Sequence, residues 1–347
     1  MVSSAQAQPD STASLKHWRE RALAVERQLN QVILGQERTV RFLMLSILCR
    51  GHVLLEGDVG VGKTTLLRAA ARAIGGPMER IDGSVDLMPA DLLYDAYVNP
   101  DGQPVVEAGP LLRYGEDMAV FFFNEINRAR PQIHATLLRL MAERSVLAFG
   151  RSASFPHLQL FADRNRLEPE ETYELPAAVR DRFLFELQMN YPESAEHQLA
   201  LLSESKYHDT DALIQAIDSE TLPYRELRIL GSQLQRSVYA SETATRYALA
   251  LCMATRDPEL LGVEIPSVDM SRLVQAGCSP RGTSWLLRAA KAMAFLQGRS
   301  EVLPEDIREV FPVCIGHRVF LRPAYAMHHA EIAPQLVEAI LRRVPAV

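Results

Sequence analysis

Apolar side chains recur at helical spacing near the start of the chain. Leu15, Trp18, Ala22, Val25, Leu29 and Val32 fall on one stripe, which predicts an amphipathic helix over residues 15–33, ended by Gly35. Val40, Leu43, Met44 and Ile47 mark a second helix over residues 37–49. The period then changes. Short apolar runs at residues 52–56, 78–81, 119–123, 158–162 and 183–187 read as five strands. The run 158–162 is nearly continuous in apolar side chains, as a strand buried on both faces requires. Helical segments lie between the runs, the clearest over residues 65–74 and closed by Gly75-Gly76-Pro77. This alternation predicts an α/β fold with a parallel sheet, whose ligands gather at the carboxyl ends of the strands.

Residues 94–110 interrupt the pattern. Ala96-Tyr97-Val98, a turn Asn99-Pro100-Asp101-Gly102, and Gln103-Pro104-Val105-Val106 read as a hairpin. It is either an inert surface loop or a functional projection, and its position just before the 119–123 strand favours projection. After Tyr191-Pro192 the strands largely stop. Helices are expected over 280–297, 304–311 and 332–344, and Pro304 suits a first helical position.

Length and composition narrow the class. The chain has 347 residues, enough for two domains with separate cores. At 48% hydrophobic and 23% charged it reads as an ordinary globular protein, and its net charge of −6 gives no bulk reason to bind nucleic acid. Cys49, Cys252, Cys278 and Cys314 are scattered and form no C-x-x-C pair, so buried free thiols in a reducing cytoplasm are expected. The His328-His329 pair has no clustered ligand beside it and suits packing or surface. No segment is long and apolar enough to span a bilayer. The polar residues 1–14 lack the apolar core of a secretory signal and suit a disordered tail.

The candidate chemistry begins at Gly57-Asp58-Val59-Gly60-Val61-Gly62-Lys63-Thr64. This is G-x-x-x-x-G-K-T between a strand and a helix. Backbone N–H groups in such a loop cradle phosphates, the lysine reaches the β- and γ-phosphates, and the threonine hydroxyl can join Mg2+. The candidate nucleotide contacts are those eight residues and Thr65. Strand 119–123 ends in Asn124-Glu125, where P-loop ATPases carry a carboxylate pair. Glu125 suits a general base or water-orienting group. Asn124 brings an amide oxygen without charge, so Mg2+ shared by Thr64 and Asn124 is expected to bind more weakly.

Together these motifs resemble the MoxR family of AAA+ ATPases. The resemblance covers nearly the whole chain after residue 15. It runs through Ile33-Leu34-Gly35-Gln36-Glu37, Asp86-Leu87-Met88-Pro89, Gly109-Pro110-Leu111, Asn124-Glu125-Ile126-Asn127-Arg128, Asp181-Arg182-Phe183, Gly277-Cys278-Ser279-Pro280-Arg281 and His317-Arg318. It implies a P-loop AAA+ three-layer αβα domain with a parallel five-stranded sheet over residues 15–190. A mostly helical lid over residues 191–347 would follow, and the hairpin near 94–109 would be the helix-2 insert of this clade. By the same resemblance Asn165, in Ala162-Asp163-Arg164-Asn165-Arg166, is the polar residue near the γ-phosphate. Arg182 is the arginine finger, with Arg180 as competitor, and Arg281 is the lid arginine that senses the γ-phosphate. Family members typically form hexameric rings, hydrolyse ATP with Mg2+, and act as chaperone-like partners of von Willebrand factor A domain proteins.

Three functions follow as expectations. The first is an ATP-driven remodeller of a protein client. The second is a nucleotide-gated scaffold with slow turnover, motivated by Asn124. The third, a DNA-remodelling motor, is disfavoured by the acidic balance and the lack of a basic or aromatic nucleic-acid module.

Overall fold

The computed structural model describes residues 11–165 and 173–346. Most of the expected tail, through residue 10, and Arg166 lie outside the described residues. Helix α1 (Ser11–Val32) starts ahead of the periodic stripe, so positions 11–14 are helical where a tail was expected. It packs Trp18, Ala22, Val25 and Leu29 into the core.

The first domain continues with α2 (Glu37–Cys49), β1 (His52–Gly57), α3 (Lys63–Ile74), β2 (Met78–Asp82) and α4 (Pro89–Leu93). Strands β3 (Tyr94–Val98) and β4 (Pro104–Ala108) pair antiparallel as a hairpin. Then come β5 (Val120–Asn124), α5 (Pro131–Glu143), a second small hairpin of β6 (Ser145–Ala148) and β7 (Arg151–Ser154), β8 (Gln159–Arg164), α6 (Ala177–Arg180) and β9 (Phe183–Met189).

The central sheet has the order β2-β5-β8-β1-β9, with every neighbouring pair parallel. Alternation along each strand divides its side chains between two layers. Val53, Leu55, Phe122 and Phe161 face the core shared with α1, α2, α3 and the C-terminal helices. Leu54, Phe121, Phe123, Leu160 and Ala162 face the core built with α5. The inner strands β1, β5 and β8 are buried on both faces along nearly their whole length, which is why their sequences are almost continuously apolar, whereas the edge strand β2 carries Glu79 and Arg80 and is only partly buried.

The remainder is α7 (Ala195–Ser203), α8 (Thr210–Gln215), α9 (Leu227–Ser237), α10 (Glu242–Ala254), β10 (Val274–Ala276), α11 (Pro280–Leu296), α12 (Pro304–Ile315), β11 (Phe320–Leu321), α13 (Pro323–Ala326) and α14 (His329–Arg343). The helix expected over residues 304–311 runs on through Pro312 to Ile315, held by the buried side chains of Val310, Phe311, Cys314 and Ile315. The burial outweighs the one backbone bond that proline removes.

Arg318, fully buried, fastens this part to β9. Its guanidinium donates to the carbonyls of Phe183 and Leu184 and pairs with Asp181 at 3.2 Å. All four cysteines are free and buried, and burial raises the Cys49 and Cys314 thiols to about 12. His329 Nε2 donates to the Val319 carbonyl at 2.9 Å, a packing role, and among the described residues no cluster of metal-ligating side chains forms.

Candidate nucleotide site

The loop from Gly57 to Gly62 bends tightly where β1 meets α3. A side chain at Gly57 would sit 2.3 Å from the Met189 carbonyl, and Gly62 caps α3 at φ +91°. Glycine meets both demands, close approach and a left-handed backbone. The N-terminus of α3 then opens directly onto the loop, with free N–H groups and a positive dipole end. Val59 and Gly60 are exposed at the tip, while Lys63 is buried.

Lys63 donates to the carbonyls of Gly57 (2.9 Å) and Asp58 (2.8 Å) and to Asn165 Oδ1 (2.7 Å). The Asn165 amide passes the contact on, donating from Nδ2 to Glu125 Oε1 at 2.9 Å. Glu125 Oε2 pairs with Arg128 at 3.0 Å. Three residues distant in sequence, Lys63, Asn165 and Glu125, are therefore joined at the carboxyl edge of the sheet. Asn165 bridges because one end of an amide accepts and the other donates.

Glu125 holds a strained backbone, φ 52° and ψ 50°. Two residues that the sequence reading missed support it. Asp163, on β8, accepts the Glu125 N–H at 2.6 Å. Burial pushes the Asp163 carboxyl above its ordinary range, despite that bond and the nearby Lys63. Gly83 lies so close that a Cβ there would be 2.2 Å from the Glu125 carbonyl.

A third missed residue is Asp82. Strands β2 and β5 pair in register at Asp82 and Asn124. Asp82 Oδ1 accepts from Asn124 Nδ2 at 2.7 Å and also pairs with Arg80 at 2.7 Å. The amide therefore turns its nitrogen to the carboxylate and leaves its oxygen free. A signal existed in the sequence: residues 78–81 and 119–123 both read as strands, and Asp82 closes the first as Asn124 closes the second.

The remaining predicted arginines lie elsewhere. Strand β9 runs parallel to β1, with His52 opposite Phe183 and Gly57 opposite Met189. Arg182 precedes β9, so it sits at the opposite edge of the sheet from the loop. Six residues at ~3.3 Å each separate the two edges by roughly 20 Å. Arg281 joins Arg182 there. Ser279 caps α11 and donates to Asp181 Oδ1 at 2.6 Å, and the Arg281 guanidinium pairs with the other oxygen of Asp181. Arg182 and Arg281 line one cavity, whereas the Lys63–Asn165–Glu125 chain contains neither. Arg180 is buried and pairs with Glu186 at 3.7 Å, which commits it to packing.

A parallel β2-β5-β8-β1-β9 sheet, a phosphate-type loop after β1 and an acidic residue after β5 define a P-loop ATPase of the AAA+ class with a helical lid. Family models agree. Residues 52–185 match the ATPase family associated with various cellular activities (AAA), and residues 269–340 match the AAA lid domain. The chain is 52% identical to protein MoxR of Paracoccus denitrificans over 96% of its own length and 98% of that protein. It is 32% identical to chaperone MoxR1 of Mycobacterium tuberculosis, covering 94% and 82%. A solved structure from Cytophaga hutchinsonii superposes with a TM-score of 0.81 at 27% identity, covering 96% and 97%. The chain belongs to the MoxR family of AAA+ ATPases. No helix among the described residues is long and apolar enough to cross a membrane.

Proposed function

We propose that this protein is an ATP-driven, ring-forming remodeller of a protein client, acting with a partner that carries a von Willebrand factor A domain. The observation that carries the reading is the hydrogen-bonded chain Lys63–Asn165–Glu125. Lys63 takes the β- and γ-phosphates of ATP. Asn165 lies between that lysine and Glu125, and so beside the γ-phosphate. Glu125 orients and deprotonates the attacking water, held in place by Asp163 and Arg128.

The donor set suits a hard divalent cation, which takes oxygen ligands. Thr64 offers a hydroxyl, Asn124 an amide oxygen freed by Asp82, and Asp82 a negative charge one bond away. Mg2+ bound there would neutralise charge on the phosphates. Because Arg182 and Arg281 stand at the far edge of the sheet, they serve the nucleotide of a neighbouring copy, which is the physical reason for a ring. The exposed Tyr97, Val98 and Val106 on the β3–β4 hairpin offer a surface for the client or partner. The name chaperone MoxR1, borne by the mycobacterial relative, is in keeping with this reading.

Asn124 favours a second reading at the same site, a nucleotide-gated scaffold whose slow turnover holds an assembled ring. An ATPase assay separates the two. Glu125→Gln should lower turnover about 100-fold or more while ATP binding persists. Unchanged turnover in that variant would remove Glu125 from the mechanism. A native rate already as low as that of Glu125→Gln would favour the scaffold.

A further inference from the structure

The Lys63–Asn165 hydrogen bond joins two strand ends, and a second contact joins the same strands one residue further back. Glu56 immediately precedes Gly57, and Arg164 immediately precedes Asn165. Strands β1 and β8 pair in register at Glu56 and Arg164. Both side chains continue the sheet face of Leu54 and Ala162, because alternate residues of a strand share a face. There the Arg164 guanidinium pairs with Glu56 Oε2 at 3.4 Å. Lys63 meanwhile donates to the Gly57 carbonyl at 2.9 Å and to Asn165 Oδ1 at 2.7 Å. Glu56, Gly57, Lys63, Asn165 and Arg164 thus form one closed circuit of covalent bonds, hydrogen bonds and an ion pair.

The ion pair is anchored from β9 as well. Glu186 accepts from Arg164 Nη2 at 3.0 Å, Gln188 Nε2 donates to Glu56 at 3.0 Å, and Arg180 lies 3.7 Å from Glu186. The side chains of Arg164, Glu56 and Glu186 keep only 19%, 17% and 11% of their surface exposed. Charges so placed are screened less than a surface pair, and each is costly without its partner. Burial works against the Arg164 charge, but Glu186 and Glu56 more than offset it and raise the guanidinium above the usual arginine range.

Lys63 directs three N–H donors to three oxygens, those of Gly57, Asp58 and Asn165. A phosphate oxygen reaching this lysine competes with them, so the Lys63–Asn165 tie loosens as nucleotide enters. The Glu56–Arg164 pair lies one residue back from the phosphates and persists.

We propose that Arg164 is a positioning residue: by pairing with Glu56 it fixes Asn165 against the phosphate loop, and so sets how strongly the site prefers ATP to ADP. The inference rests on the ATPase reading above, in which Asn165 stands beside the γ-phosphate. It goes beyond that reading, which gives Glu56, Arg164 and Glu186 no part. Asn165 displaced from the γ-phosphate weakens ATP binding and spares ADP. A general loosening of the fold weakens both alike.

The test compares the affinities of a fluorescent, non-hydrolysable ATP analogue and the matching ADP analogue, with Mg2+, so it needs no turnover. Glu56→Gln removes the carboxylate that ties Arg164 to β1, while Glu186 remains as partner to the guanidinium. The preference for ATP should fall about tenfold, the scale of one hydrogen bond to a charged group. Glu186→Gln takes a carboxylate from the same arginine but leaves the Glu56–Arg164 pair, so both affinities should move together. Arg164→Gln should lose as much preference as Glu56→Gln, and Arg164→Lys, which keeps the charge, should retain part of it. Thermal melts confirm that each variant is folded, and Glu56→Gln carries the test if Arg164→Gln is not. A native chain that binds both nucleotides alike, a preference unmoved in Glu56→Gln, or an equal loss in Glu186→Gln overturns the proposal. Turnover of Glu125→Gln is a separate measurement, so the ATPase reading and this inference can fail independently.

Discussion

Asp82 Oδ1 accepts a 2.7 Å hydrogen bond from Asn124 Nδ2, across adjacent parallel strands at the carboxyl edge of the sheet. An unrestrained amide can present either end to a cation. Here the carboxylate selects the nitrogen and leaves the oxygen available, which under the proposed function would face the metal. Partners that orient a ligand in this way commonly change metal affinity 10–100-fold when removed. Asp82→Ala should therefore raise the Mg2+ concentration for half-maximal ATP binding about tenfold, leaving metal-free nucleotide binding unchanged. A Mg2+ titration with a fluorescent ATP analogue measures this, and an unmoved midpoint would remove Asp82 from the site. Asn124→Asp alone would set two carboxylates against each other, so a gain in Mg2+ affinity is expected only when Asp82 is replaced as well.

Arg182 and Lys63 lie at opposite edges of one sheet, so their losses should complement. Arg182→Ala and Lys63→Ala chains should each be nearly inactive. Mixed together, they should regain activity wherever an intact Lys63 site meets an intact Arg182 from the neighbour. An arginine finger contributes about 1,000-fold or more to turnover, so even partial mixing is visible. If the mixture has only the summed rates of its parts, the trans assignment is wrong.

Gly83→Ala should act on catalysis through Glu125. The added methyl would meet the Glu125 carbonyl at 2.2 Å, so the left-handed turn must move. A displacement of about 1 Å at a catalytic group can cost ~100-fold in rate. The expected result is a fall in turnover with ATP affinity nearly native. Unaltered turnover would mean that the turn absorbs the methyl.

Stability should fall in mild acid. His52 is fully buried, accepts the Leu160 N–H at 2.9 Å and donates to the Met141 carbonyl, so it is neutral in the fold. Burial, with Arg144 and Arg50 nearby, lowers it from 6.5 to about 3. His317 is also lowered well below 6.5, chiefly by burial. Unfolded histidines protonate near 6.5, and these two cannot do so in the fold. Both contributions are complete above 6.5 and are lost as pH falls below it, by about 1.4 kcal/mol per pH unit for each, that of His52 down to about 3. Urea melts at pH 7.5, 6.0 and 5.0 measure the slope. His52→Gln keeps one donor and one acceptor and should lessen it.

The P-loop, the helical stripes and the apolar strands were legible in the sequence because each depends on neighbours along the chain. Gly57 to Thr64 spells its own conformation, and Leu15 to Val32 its own buried face. Glu125 was legible for the same reason, closing an apolar run. Asp82 could be read only as the end of its strand, and Gly83 and Asp163 not at all, since their contacts with Asn124 and Glu125 exist only once β2, β5 and β8 lie side by side. The last turn of α12, beyond residue 311, was not legible for a related reason. Local propensity counts one lost backbone bond, while the buried faces of α12 are contributed by other helices.

What the sequence by itself determined is the set of parts: a phosphate loop, a strand ending in an amide and a carboxylate, and arginines at 182 and 281. The tertiary structure alone decided which parts meet. Parallel pairing of β1 and β9 puts every strand start at one edge and every strand end at the other. Asp82, Asn124, Glu125 and Asn165 therefore gather beside Lys63. Arg182 and Arg281 are carried to the far edge, into a cavity that no short stretch of sequence could reveal.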